Sequence, residues 1–275
     1  MKYVSLGRSQ IRASALGLGT VKFGRNEKTK YPQRFDLPAD ESIHELLKTA
    51  SEIGINLLDT APAYGRSEER LGEIMDRHGW FGSRASWIVC TKAGEEFSDG
   101  VSRYCFDPMR IRESVARSLS RLKTDFVDVA LLHSDPEEKC LLEGSEAMNI
   151  LNKLRDQGVV RVVGASCYSI PGARAAIRQG ADALMLTVNK YDRTFLPLMP
   201  ELESLGIGVL IKKPLNSGFL APAPEEARDS IRFVFERTPA GLTSIVFGTL
   251  SPDHLRQHAD TAELFFEGGI KQNSD

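Results

Sequence analysis

"INLLDTAPAYGRSEERLG", Ile55 to Gly72, begins as an apolar run, ends that run on a carboxylate, Asp59, and sets a phenol, Tyr64, five residues further on. The run has the length of a strand, and the charged and apolar residues after Gly65 follow helical spacing, so the stretch reads as one strand–loop–helix unit. Asp59 has an ordinary reading as a turn former or helix cap. It also has a chemical one, in which carboxylate and phenol act together on something held above the strand end.

The unit recurs along the chain. Apolar runs rich in Val, Ile and Leu lie at "SALGLGT" (14–20), "INLLDT" (55–60), "WIVCTK" (87–92), "VDVALLHS" (127–134), "VRVVGAS" (160–166), "ALMLTVN" (183–189), "GVLIKK" (208–213) and "SIVFG" (244–248). They do not alternate cleanly between apolar and polar, as expected for parallel strands covered on both faces. Helical periodicity fills the intervals at 40–54, 67–79, 107–123, 144–157, 170–179, 196–205, 224–237 and 252–264, with Asp107 as a cap and Pro108 in the first turn of the third. Eight strand–helix units imply an α/β fold, a closed (β/α)8 TIM barrel preceded by a short N-terminal β-hairpin, with residues 1–275 forming one domain.

The bulk numbers agree with that size. The 275 residues are 41% hydrophobic and 26% charged, with a net charge of −2. Such a balance gives no electrostatic footprint for nucleic acid or an anionic membrane. Four scattered cysteines show no metal or disulfide spacing, and no apolar stretch reaches membrane-spanning length. The expectation is a cytoplasmic chain with a small-molecule partner and no metal; oligomeric state is left open.

The polar residues that interrupt the strands fall in one place. Asp59, Lys92, His133, Ser166, Asn189 and Lys212 each lie at or just past the carboxyl end of a strand, the rim that carries the active site in barrel enzymes. Long loops at 21–40, with Tyr31 and Phe35, and at 93–107, with Phe97 and Tyr104, would shape a pocket there. A phenol has an ordinary pKa of about 10, and lowering it by ~2–3 units takes roughly 3–4 kcal/mol, within reach of one cation in a dry site. Lys92 could supply that charge, Asp59 could fix Lys92, and His133 could orient a carbonyl oxygen. Each residue alone has a structural role available: turn former, solvated rim lysine, satisfied histidine, packed aromatic. Together they form an apparatus for protonating an oxygen on which charge develops.

At this point the chain resembles the aldo-keto reductases. "LGRSQIRASALGLGT", "LLDTAPAYGRSEERLG", "IVCTKAG", "RLKTDFVDVALLHSDP", "GVVRVVGAS", "NKYDR", "GIGVLIKKPLNSGFL" and "GTLSPDHLRQH" follow in the order of that family's motifs. The resemblance implies an NAD(P)-dependent enzyme that reduces an aldehyde or ketone, or oxidises an alcohol, with Asp59, Tyr64, Lys92 and His133 as catalytic tetrad. It also implies cofactor contacts at Thr20, Val21, Lys22, Asp59, Ser166, Cys167, Met185, Lys212, Lys213, Pro214, Leu215, Gly218, Gly248, Thr249, His254 and His258. "GLGTVK" is not a dinucleotide fingerprint of the Rossmann kind, since Lys22 stands in place of the third glycine and no helix is expected directly after the strand.

Several positions depart from the family pattern. Cys167 replaces an asparagine, Met185 a carboxamide-binding glutamine, and Lys212 an aromatic that stacks on nicotinamide. Lys212 and Lys213 read equally as cofactor contacts or as a solvated rim pair. At the 2′-phosphate end stand Gly248, Thr249, His254 and His258 rather than arginines, which weakens a preference that family frequency places with NADP(H) over NAD(H). The altered positions keep a second function in view, a cofactor-binding barrel that senses redox state with little turnover. A third is a cofactor-free barrel isomerase or lyase. The short segment after residue 264, "FFEGGIKQNSD", carries the expectation of an open substrate site.

Overall fold

The computed structural model describes residues 1–220, 223–239 and 241–270. Strands Leu16–Gly19, Leu57–Asp59, Ile88–Ala93, Val127–His133, Val160–Ser166, Ala183–Thr187, Gly208–Lys212 and Thr243–Phe247 pair in parallel, each with the next, and the last pairs with the first. The eight expected strands are these, trimmed or shifted by one or two residues at their ends. The hairpin is also present, Tyr3–Ser5 against Arg12–Ser14 with Val4 opposite Ala13.

Two apolar layers follow from the pleat. Leu57, Cys90, Val129, Leu131, Val162, Met185, Leu210 and Val246 fill the barrel interior, and Leu6, Ile11 and Ala13 of the hairpin segment plug its lower end. Their neighbours along each strand, such as Leu58, Val89, Ala130 and Val163, face outward into the layer shared with the helices. The helix Asp40–Glu52 buries Ile43, Leu46, Leu47 and Ala50, one stripe at three-to-four spacing, and starts with Asp40 and Glu41 where the helix dipole favours negative charge. Helix Pro108–Leu122 is capped as its sequence implies: the Asp107 carboxylate accepts from the Met109 and Arg110 amides.

Differences from expectation lie in the connections. The loop at 93–107 contains an antiparallel hairpin, Glu95–Ser98 with Val101–Tyr104, closed by Asp99 and Gly100 at positive φ. Its alternation is short and its outer face exposed, so no apolar run betrays it. One helical turn, Val21–Gly24, directly follows the first barrel strand, which corrects the expectation that no helix follows there. Gly24 and Gly65 explain why. A Cβ on Gly24 would stand 2.1 Å from the Ser67 amide nitrogen, and one on Gly65 would stand 2.2 Å from the Gly24 carbonyl. The turn is thereby pressed against the loop that carries Tyr64. The last helix, Pro252–Ile270, runs past residue 264, and 271–275 of the expected tail lie outside the described residues. Among the described residues no helix is long and apolar enough to cross a membrane, and no cluster of His, Cys, Asp or Glu has metal-binding geometry.

Candidate active site

Strand register brings the four acid–base residues together. Asp59 pairs with Cys90 on the next strand, and Cys90 faces the barrel interior, so Lys92, two residues on, faces inward one level higher. Lys92 in turn pairs with Leu131, also interior, which places His133 inward a further level up. Tyr64 comes from the one-turn helix Pro62–Tyr64 that follows Asp59. Three consecutive strands and one loop thus supply the group.

Lys92 sits at its centre, 1% exposed, with Asp59 at 4%. Its Nζ donates to Asp59 Oδ1 at 2.6 Å, to the Thr60 carbonyl at 2.9 Å and to the Tyr64 hydroxyl oxygen at 3.1 Å, using all three protons. The Tyr64 hydroxyl donates to Asp59 Oδ2 at 3.5 Å, a long and weak hydrogen bond. The Tyr64 and His133 rings meet edge to face at 6.3 Å between centroids. Thr20, buried below, donates to the Asp59 carbonyl, and Ser67 Oγ donates to Thr20 Oγ1 at 2.7 Å, tying the two loops under the site.

Burial opposes the Lys92 ammonium, but Asp59 and Tyr64 outweigh it and hold its pKa above the usual lysine value. Tyr64 departs from expectation. Burial, with Asp59 adding to it, raises the phenol pKa above its ordinary value, and Lys92 pulls it only part of the way back. Burial is the main cause, and Asp59, which faces both groups, also opposes the field of the ammonium at the phenol. Burial and the surrounding cations Lys92, Lys212, Arg25 and Lys213 hold the His133 imidazole neutral, far below the usual histidine range.

Above the four lies a cavity of about 1000 Å³. Tyr31, Phe35 and Tyr104 line it, as the loop composition suggested, whereas Phe97 lies under Arg25, with the guanidinium 3.5 Å from its ring centroid. Twelve of the positions expected to meet cofactor also line it: Val21, Lys22, Asp59, Lys212, Lys213, Pro214, Leu215, Gly218, Gly248, Thr249, His254 and His258. Thr20, Ser166, Cys167 and Met185 do not. Met185 is packed in the barrel interior, and Cys167 is wholly buried with its Sγ 3.8 Å from the Ala165 carbonyl. Ser166 stands behind Lys212, whose Nζ donates to its hydroxyl at 2.7 Å. Lys212 is therefore turned inward and half-buried. His258 stacks on Phe247 at 4.6 Å, and burial with His254 nearby lowers its pKa to about 4.

Glu95 was not legible as a site residue. It opens the unforeseen hairpin, is 7% exposed and lines the cavity, with Oε2 3.0 Å from His133 Nδ1, although off the line of a hydrogen bond. Ser102 donates to its other oxygen at 2.6 Å. Only the hairpin's pairing could have disclosed it.

A closed parallel barrel gathers carboxylate, ammonium, phenol and neutral imidazole at the carboxyl ends of its strands, the rim where barrel enzymes carry their active sites. The chain belongs to the aldo/keto reductase family, whose model matches residues 15–240. It is 32% identical over 238 residues to the uncharacterized oxidoreductase YqkF of Bacillus subtilis, covering 84% of this chain and 71% of that one. It is 30% identical over 230 residues to an NADH-specific methylglyoxal reductase of Escherichia coli, covering 80% and 69%. The crystal structure of PA4992 from Pseudomonas aeruginosa superposes with a TM-score of 0.84 at 37% identity, over 96% of this chain and 95% of that one. The family makes the protein an oxidoreductase that works with a nicotinamide cofactor. An NADH-specific relative leaves the expected preference for NADP(H) without support.

Proposed function

We propose that this chain, one barrel domain, reduces an aldehyde or ketone to an alcohol at the expense of NAD(P)H, or runs the reverse oxidation, with Tyr64 as the proton donor. The observation that carries the reading is the Lys92 ammonium bonded at once to Asp59 and Tyr64, beside His133, at the floor of the cavity. Lys92 donates into the phenol oxygen, so negative charge left there after proton transfer meets a cation already in place. A raised phenol pKa keeps the proton on Tyr64 until a carbonyl oxygen acquires alkoxide character, whose basicity exceeds that of phenolate. His133, neutral, orients that oxygen by a neutral hydrogen bond.

The residues present fit a dinucleotide. Lys22, Lys30 and Lys213 line the cavity, and Gly218 and Gly248 lie on its wall with Tyr31 packed over both: a Cβ at Gly248 would meet the Tyr31 hydroxyl at 2.6 Å. Bound there, the cofactor would supply hydride. Lys22 and Lys213 would meet its phosphates, and Val21, Pro214 and Leu215 its apolar faces. With neither arginine nor lysine at Gly248, Thr249, His254 or His258, we read both NADH and NADPH as usable.

Mixing the protein with either reduced cofactor and a panel of reactive aldehydes should consume the cofactor absorbance, and Tyr64→Phe should slow this about thousandfold. No consumption with any carbonyl would overturn the reading. It would favour the second one, a cofactor-binding sensor, which draws on Ser166 being engaged by Lys212 rather than free for a ligand.

A further inference from the structure

Lys212 ends the strand Gly208–Lys212, and Leu210 two residues before it is part of the barrel-interior layer, so the alternation of the strand turns Lys212 into the mouth. Its Nζ bonds Ser166 Oγ and lies 4.7 Å from the Tyr168 ring centroid. Among the described residues it takes part in no ion pair, whereas Lys92 is held by Asp59 at 2.6 Å. The cavity that meets Tyr64 and His133 meets Lys212 as well.

We propose that Lys212 is a second reactive group of this cavity, a nucleophilic amine that condenses with small aldehydes to form an imine without any cofactor. The proposal rests on the reading that the cavity admits carbonyl compounds. An amine partly withdrawn from water and set beside another cation is the arrangement that activates lysine as a nucleophile. Here burial and the charges of Lys213 and Lys92 lower the ammonium pKa to about 7, with Cys167 and Asp59 opposing. Near neutral pH a substantial fraction of the protein then carries the free amine, against fewer than about one in a thousand for a lysine of ordinary pKa. With one proton donated to Ser166, the nitrogen lone pair is left for the cavity.

The step balances internally. The lone pair bonds to the carbonyl carbon while the C=O π pair moves to oxygen, and one N–H proton passes to that oxygen, giving a carbinolamine. The C–O bond then breaks, oxygen leaves as water with the second N–H proton, and the C=N bond forms. Nothing is oxidised or reduced.

Propanal and sodium borohydride, added at neutral pH without nicotinamide, would convert the imine to a stable propyl amine readable by mass spectrometry and peptide mapping. One adduct per chain at Lys212 is expected, formed about a hundredfold faster than at any surface lysine. Lys212→Arg, with its fold checked by circular dichroism, should abolish it, and Lys213→Arg, which keeps the neighbouring charge, should retain it. In the unaltered protein labelling should be half-maximal near neutral pH. Adducts spread over surface lysines, equal labelling of Lys212→Arg, or labelling that climbs steadily to pH 10 would each overturn the proposal. Because no cofactor is present, this outcome is independent of whether the protein reduces carbonyls.

Discussion

The two walls of the barrel mouth carry the same kind of side chain in opposite circumstances. On one, Lys92 directs its three protons to Asp59, Thr60 and Tyr64 and is sealed from water. On the other, Lys212 has a neutral hydroxyl, an aromatic face and a second lysine for company. The first cation is locked and permanently charged, while the second is poised to lose its proton. A lysine at a strand end therefore has no fixed chemistry; the charges within a few ångströms decide whether it tunes an acid or becomes a nucleophile.

The sharpest way to break this comparison is to unlock the first wall. Asp59→Asn leaves the Lys92 ammonium buried without a counter-charge and is expected to cost about 3–5 kcal/mol of stability. Lys212→Met removes a partly buried cation with no counter-charge, which its lowered pKa marks as unfavourable to the fold, and should raise stability by about 1–4 kcal/mol. Urea denaturation of both variants tests the contrast, and equal losses would erase it.

A second test reads the proton on Tyr64. Because burial raises its pKa, the phenol stays protonated through the neutral range, so reduction should be flat from pH 6 to about 9 as far as this group is concerned. Alcohol oxidation needs the phenolate and should climb by up to about tenfold per pH unit, past the ordinary phenol value of about 10. An oxidation rate that levels off between pH 7 and 8 would mean that Lys92 dominates the phenol after all.

The smallest effect is expected at the far end of the cavity. His254→Arg adds a permanent cation near Gly248 and Thr249 and should improve NADPH affinity over NADH about tenfold, or ~1.4 kcal/mol, by fluorescence titration. No change would place the 2′-phosphate elsewhere.

Much of this was legible in one dimension. The apolar runs ending on Asp59, Lys92 and His133 give the strands, their shared rim and the company the three keep, because a parallel barrel puts every strand's carboxyl end on one face. Asp107 with Pro108 announces a helix start, and that helix is capped as expected. The hairpin 95–104 was not legible, since four-residue strands with an exposed face carry too little periodicity to stand out from a loop. Glu95 was hidden with it.

By itself the sequence determined the barrel and which residue types meet at its mouth, through local hydrophobic periodicity and the order of its units. Tertiary structure alone decided what those groups are. It buried Tyr64 and set Asp59 against both Lys92 and Tyr64, so the phenol rises where a lone cation beside an exposed phenol would have lowered it. It turned Met185 and Cys167 into packing and Lys212 into the cavity. The physical reason is that pKa and reactivity depend on distance and burial, and those are set by strand register, not by spacing along the chain.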